Sequence, residues 1–337
     1  MKNIRIYSLV ILILSISVFV LVGCSNDTSV ITIKLSHDLL ENTPQHVGAL
    51  AFKSEVETKS EGRIKVEIFP AGQLGSDVEV TEMMQLGTLQ AGLVPTAKLS
   101  GFAPELQIVD LPFIFESRDI AYAVLDSEFK NTVFESLLEK KLKGIAFWES
   151  GFKQFTSNFD ISSPNDLMNR KIRVMESPML IEQYKMVGAN PTPIDFSETY
   201  NALQQGVVEM QENPLVSIVN MKFYEVQDVL TMSNHGYLAY AFLLSKDFWD
   251  GLSETDQEIV ESAAMNAAKV EREETIASEE VYLQTIKDSG TLVNEIDDAQ
   301  RAAFINAWQP LKDDYTHILG ADLMDQLDQA IKDAQQK

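Results

Sequence analysis

Alternation of apolar and polar residues marks the first element of the chain. Residues 31–35 read Ile-Thr-Ile-Lys-Leu, the period-two pattern of a strand with one buried face. Asn42-Thr43-Pro44 then place a capping side chain before a proline in the first helical turn, and the helix they open runs to Gly62. Residues 63–69 alternate again, with Ile64, Val66 and Ile68 on one face. Pro70-Ala71-Gly72 is a turn, Ser76-Asp77 cap a short helix that Gly87 ends, and residues 89–94 form the next strand. This order of strands and helices predicts a parallel sheet with covering helices.

The second half repeats the theme. The pattern predicts a strand over 171–174, a helix over 178–187 and a strand over 192–196. Ser197 is placed to cap a helix ending at Gly206, and 207–211 is the next strand. Gln85-Leu86-Gly87 and Gln204-Gln205-Gly206 each close a helix before a buried strand, which suggests two lobes of similar build. Ser253-Glu254-Thr255-Asp256 resembles a capping box, and no Gly or Pro interrupts the helical pattern from there to Asp288. At ~1.5 Å per residue this helix is ~50 Å long. That exceeds the width of one lobe, so the helix is expected to cross both and to leave a cleft between them.

The N-terminus reads differently. Lys2 and Arg5 precede an apolar stretch over 9–22, the layout of a secretion signal over residues 1–24. Leu21-Val22-Gly23-Cys24 matches a lipobox, so Cys24 is expected to be lipidated and to anchor the chain to a membrane, with 25–30 as a tether. A transmembrane anchor is the competing reading, but the stretch falls short of the ~20 apolar residues a span needs. Cys24 is the only cysteine, which leaves no thiol for a disulfide, a thiolate metal site or a nucleophile. The formal net charge is −23. Phosphate binding needs a basic patch, so a nucleic-acid partner is not expected. His37, His46, His235 and His317 show no metal-ligand spacing, no phosphate loop or nucleophile elbow is present, and no metal, cofactor or catalytic residue is expected.

Several words in order resemble one family. They include Phe69-Pro70-Ala71-Gly72-Gln73-Leu74-Gly75, Lys171-Ile172-Arg173-Val174, Gly188-Ala189-Asn190-Pro191-Thr192-Pro193 and Phe196-Ser197-Glu198-Thr199-Tyr200. Ala202-Leu203-Gln204-Gln205-Gly206, Gln211-Glu212-Asn213-Pro214 and Ser233-Asn234-His235-Gly236-Tyr237 continue the match. Together they resemble the substrate-binding subunits of tripartite ATP-independent periplasmic (TRAP) transporters, of the dicarboxylate-binding DctP type. Glu209-Met210 departs from the Asp-Gly usual there, which puts local strand geometry in doubt. The resemblance implies a two-lobed, periplasmic-binding-protein-like α/β fold with lobes of 31–150 plus 239–278 and 151–238 plus 279–337. It further implies an extracytoplasmic monomer that carries a small carboxylate to separate membrane permease subunits. C4-dicarboxylates such as malate, succinate or fumarate come first, and hexuronates or other sugar acids are the alternative. A ligand sensor for a membrane kinase and a carboxylate-processing enzyme are the competing classes.

Arg173 is the central candidate, because a guanidinium fork matches a carboxylate with two parallel hydrogen bonds. The residues alone leave open a local ion pair at a strand edge; the resemblance implies the ligand-carboxylate role. Asn213 reads as an N-cap before Pro214, and the resemblance implies a hydrogen bond to ligand. Lys153 falls where relatives carry a second arginine, suited to a second carboxylate, with a solvated lysine as the alternative. Phe196 aligns with an aromatic that packs on the ligand, or serves the core. His37 with Asp38, Gln73 with Asp77, and Tyr237 complete the ligand-binding candidates, each against ordinary loop or core duty.

Overall fold

The computed structural model describes residues 30–336, so the readings of the signal stretch, Cys24 and residues 25–29 of the tether lie outside it. The first lobe begins with β1 (Ile31–His37), α1 (Pro44–Lys59), β2 (Ile64–Phe69), α2 (Asp77–Gln85) and β3 (Ala91–Pro95). Local chemistry sets these bounds. The Thr43 hydroxyl accepts the His46 N–H at the start of α1, and Ser76 and Glu79 form a reciprocal capping box on α2. Helices α3 (Arg118–Leu125) and α4 (Phe129–Leu138) lead into β4 (Leu142–Phe152).

The chain then crosses to the second lobe through Lys153 and enters β5 (Gln154–Ser157). There follow β6 (Lys171–Val174), α5 (Pro178–Met186), β7 (Asn190–Pro193), α6 (Thr199–Gln204), β8 (Met210–Asn213), α7 (Leu215–Asn220) and β9 (Val229–Met232). Residues 233–236 cross back, and β10 (Tyr237–Ser245) completes the first sheet. The remaining elements are α8 (Lys246–Asp250), α9 (Glu254–Asp288), β11 (Leu292–Glu295), α10 (Asp298–Leu319) and α11 (Ala321–Gln335).

Each lobe has one sheet, ordered β2-β1-β3-β10-β4 and β11-β9-β5-β8-β6-β7. Strands β1, β2 and β3 are parallel, but β10 runs antiparallel to both β3 and β4, so the first sheet is mixed. β10 is apolar at nearly every position because both its faces are covered. Leu238, Tyr240, Phe242 and Leu244 enter one core with Phe52, Trp148 and Ala263, whereas Tyr237, Ala239, Ala241 and Leu243 enter another with Phe115, Phe134 and Phe147.

The 35-residue α9 is capped by Ser253, which accepts the Asp256 N–H. It packs on α1 and β4 in the first lobe and on α7 in the second, as its length requires. Ala263, Ala264, Ala267 and Ala268 form its buried face, and their small size permits a close crossing over α1. There Gly48 has no room for a Cβ, which would fall 2.7 Å from the Trp148 ring and 2.8 Å from Glu271 Cβ.

Local expectations fail at three places. Ser197 does not cap a helix; it sits inside a 3-10 turn, Phe196–Glu198, in which the Asp195 carbonyl accepts the Glu198 N–H. Asn213 is not an N-cap: it ends β8, and Pro214 takes the cap position of α7. The grouping of 279–337 with the second lobe does not describe α11, which packs against α3 and α4 of the first lobe. Its Leu323, Met324 and Leu327 complete the core that holds Phe115 and Leu243.

Candidate functional site

The lobes meet over a pocket lined by Asp38, Asp77, Pro95, Lys98, Leu238 and Tyr240 of the first and Met175, Arg173, Phe196 and Asn213 of the second. Its inner volume is about 10 Å³, and an adjoining vestibule of about 410 Å³ shares Asp38, Asp77 and Phe196 with it. Arg173 reaches this place through strand parity. Its neighbours Ile172 and Val174 are buried in the core on the opposite face of β6, which leaves the guanidinium for the cleft. Arg173 Nε donates to the Ile194 carbonyl at 2.9 Å, while Nη2 is buried without a hydrogen-bond partner. Burial lowers the Arg173 pKa to about 10, against the pull of Glu212, Asp38, Asp195 and Asp77, so the group stays charged at neutral pH. A buried, charged donor left unpartnered is poised for an anion.

Asn213 lies on the same face of the sheet, and its amide donates to Gln211 Oε1 at 2.5 Å, which orients the side chain. Gln211 in turn donates to Thr156 Oγ1 at 2.9 Å. Phe196 borders both pocket and vestibule and meets Phe223 edge-on at 6.2 Å.

The first lobe supplies acids. Asp38 is partly accessible from the vestibule yet otherwise enclosed, and that burial raises its pKa to about 6 against the Tyr240 hydroxyl, which donates to Asp38 Oδ1 at 3.2 Å. Asp77 at the start of α2 is held well above the usual carboxylate range, by burial first and by Asp38 second. Lys98 Nζ, almost fully buried, lies 3.0 Å from Asp195 Oδ1 and 3.6 Å from Glu176 Oε2, both in the second lobe.

The structure brings Arg173, Asn213, Phe196, Asp38 and Asp77 together and leaves four candidates outside the pocket lining. Lys153 lies in the hinge, where its N–H donates to the Gly236 carbonyl at 2.8 Å. Its ammonium pairs with Glu212 at 2.8 Å, both side chains 2 % exposed. Glu212 also meets His235 Nε2 at 2.7 Å and accepts from the Tyr184 hydroxyl at 2.6 Å. Burial alone would raise the Glu212 pKa, but Lys153 and His235 hold it well below the usual range. The lysine expected to meet a second ligand carboxylate is therefore paired within the protein.

Tyr237 is packed between Phe115 and Phe152 at 5.6 and 5.3 Å, on the face of β10 opposite Tyr240. His37 is buried against His46, Nε2 to Nδ1 at 3.1 Å, and burial lowers its pKa to about 4. Gln73 is exposed at the turn after β2. The residues that sequence reasoning missed are Lys98, Tyr240 and Met175. A lone lysine inside the apolar run from Leu93 to Leu99 was the available signal for the first. Tyr240 carried none that set it apart from Tyr237.

Among the described residues, no group of His, Cys, Asp and Glu is placed to hold a metal ion, and no helix is long and apolar enough to cross a membrane.

Comparison with known proteins identifies the family. Residues 35–317 match the model of the bacterial extracellular solute-binding proteins, family 7. The C4-dicarboxylate-binding protein DctB of Bacillus subtilis is 35 % identical over 308 residues, covering 90 % of this chain and 87 % of its own. A TRAP periplasmic solute-binding protein from Sulfurospirillum deleyianum, solved with bound succinate, superposes with a TM-score of 0.83 at 36 % identity, covering 91 % of this chain and 98 % of that one. The sugar acid binding protein DctPAm from Advenella mimigardefordensis, in complex with galactonate, superposes with a TM-score of 0.86 at 31 % identity, covering 90 % and 98 %. By that match and those relatives, this chain belongs to family 7 of the bacterial extracellular solute-binding proteins, the DctP-type receptors of TRAP transporters.

Proposed function

We propose that the chain is exported, anchored through a lipidated Cys24, and binds a hydroxylated monocarboxylate that it hands to a TRAP permease without any chemical step. One observation carries the choice of ligand: the buried, unpartnered Arg173 Nη2 shares its pocket with two first-lobe acids, Asp38 and Asp77. Arg173 and Asn213 receive the carboxylate. Asp38 and Asp77 then act as acceptors for hydroxyl donors, and Phe196 covers the carbon chain. The galactonate-bound relative supports this reading.

A C4-dicarboxylate is the second reading, supported by the Bacillus relative and the succinate-bound one. Its distal carboxylate would face Asp38 and Asp77 beside Lys98, and a proton on one of the acids would relieve the repulsion between carboxylates. The raised pKa of about 6 at Asp38 brings that within reach on the acid side. The two readings therefore differ in pH dependence.

Calorimetry of the mature chain with gluconate, galactonate, malate and succinate tests both, beside Arg173→Ala. The hydroxy acid is expected to bind at least as tightly as pH rises through about 6, where Asp38 becomes the ionised and stronger acceptor, and Arg173→Ala to lose about 2–5 kcal/mol, as for a truncated buried charge pair. Binding confined to succinate or malate, and weakening as pH rises through about 6, would move the assignment to the dicarboxylate. Equal binding in Arg173→Ala would end the carboxylate clamp altogether.

A further inference from the structure

Lys98 lines this cleft, and its ammonium pairs with two carboxylates of the protein itself. It belongs to a 3-10 turn of the first lobe, Thr96–Leu99, and its side chain is 1 % exposed. Both of its ion-pair partners belong to the other lobe: Asp195 follows β7 and Glu176 follows β6, with side chains 52 % and 58 % exposed. A lysine suits two carboxylates at different bearings, because an ammonium is a compact point charge with rotatable donors.

Asp195 also sits in the middle of a short segment that serves the ligand pocket on both sides. The preceding Ile194 carbonyl accepts from Arg173 Nε, and the following Phe196 lines the pocket. A force on Asp195 is therefore transmitted to the backbone that orients the carboxylate clamp.

We propose that Lys98 is an interlobe latch: by pairing with Asp195 and Glu176 when the lobes close, it draws the Ile194–Phe196 segment over the pocket and slows release of the bound acid. Parting the lobes takes both carboxylates away from Lys98, so the pairing exists only in the closed form, and a contact made in one form shifts the equilibrium toward it. Burying an ammonium is unfavourable without such partners. The carboxylates stay wet at the rim, which keeps the latch weak enough to open. Lys98 is thus a positioning residue, acting on Arg173 and Phe196 through the 194–196 backbone.

The kinetic consequence rests on the receptor reading above, whereas closure can be measured with no ligand added. Spin labels on α4 and α6 report the interlobe distance in the wild-type chain, Lys98→Met, Asp195→Asn and the double variant. Stopped-flow fluorescence reports dissociation of the acid that calorimetry selects. Lys98→Met is expected to shift the distance distribution outward and to raise the dissociation rate about tenfold, with the association rate nearly unchanged. Asp195→Asn should move both in the same direction by less, because Glu176 remains. The double variant should match Lys98→Met alone, as shared partners are non-additive, and Lys98→Arg should restore closure. An unchanged distance distribution in both single variants overturns the latch. Affinity lost as fully as in Arg173→Ala, with distances unchanged, would instead make Lys98 a direct ligand contact. Asp195, exposed at the rim, supplies the same answer if Lys98→Met fails to fold.

Discussion

Lys153 shows how one residue's role turns on its partner. Its sequence context suggests a ligand cation or a solvated lysine, and the fold instead places Glu212 2.8 Å from its ammonium in a site closed to water. The consequence is measurable. Lys153→Met leaves Glu212 without its ammonium, beside a His235 whose pKa burial lowers, and removing one member of a buried pair costs about 3–5 kcal/mol. Urea denaturation should show that loss, with the m-value preserved. A variant as stable as wild type but defective in ligand binding would return Lys153 to the cleft. Arg173 is the contrasting case. Ile172 and Val174 need the core, so the arginine between them must face the other way, and that much follows from parity alone.

Among the elements, α9 is held in place more by close approach than by amphipathicity. Its alanines and Gly48 on α1 let two helices and the Trp148 ring meet without a spacer. Gly48→Ala sets two effects against each other. Helix propensity favours alanine by about 1 kcal/mol. The added methyl, however, meets Trp148 Cζ3 at 2.7 Å and Glu271 Cβ at 2.8 Å, and neither a buried indole nor a Cβ can step aside. Overpacking of this kind costs about 1–3 kcal/mol, so the variant should melt at a lower temperature than wild type. A rise in melting temperature would mean that the crossing is looser than the structure shows. The hinge is an element-scale device as well. Gln154 Oε1 accepts the N–H groups of Ser233 and Asn234 at 2.7 and 3.0 Å, tying the two crossing segments to each other.

For the whole molecule, burying carboxylates makes stability depend on pH. Asp110 is 2 % exposed, and neither of its carboxyl oxygens has a hydrogen-bond partner, since the neighbouring Thr96 hydroxyl donates to the Ala239 carbonyl. Burial raises its pKa from 3.8 to about 7, and raises that of Glu271 from 4.5 to about 8 with Glu149 adding to the effect. The unfolded chain releases these protons near the ordinary carboxylate values, whereas the folded chain retains them up to the raised ones. Stability therefore falls as pH rises through that window and levels off above it. Glu212, whose pKa is depressed, acts in the opposite sense and only at lower pH: its contribution is complete above 4.5 and is lost as pH falls. Asp110→Asn should flatten the decline between about pH 4 and 7 by an amount on the order of 2–4 kcal/mol. Equal slopes in wild type and variant, from thermal melts across that range, would show that Asp110 is ionised in the folded chain.

The sequence by itself determined whatever depends on neighbours along the chain. The capping residues before α1, α2 and α9, the uninterrupted length of α9 and the face on which Arg173 stands all follow from local spacing. The words shared with the family carried the two-lobed cleft receptor. Tertiary structure decided the choices that local chemistry leaves equal. β10 is apolar on both faces, so its alternation cannot say which face borders the cleft, and only the assembled sheet separates Tyr240 in the pocket from Tyr237 in the core. An amphipathic helix records that it has a buried face but not what covers it, and α11 found the first lobe. Long-range ion pairs are the extreme case. Nothing near Lys98 or Lys153 in the chain names Asp195 or Glu212, because charges choose partners by distance in space and by the water that folding removes.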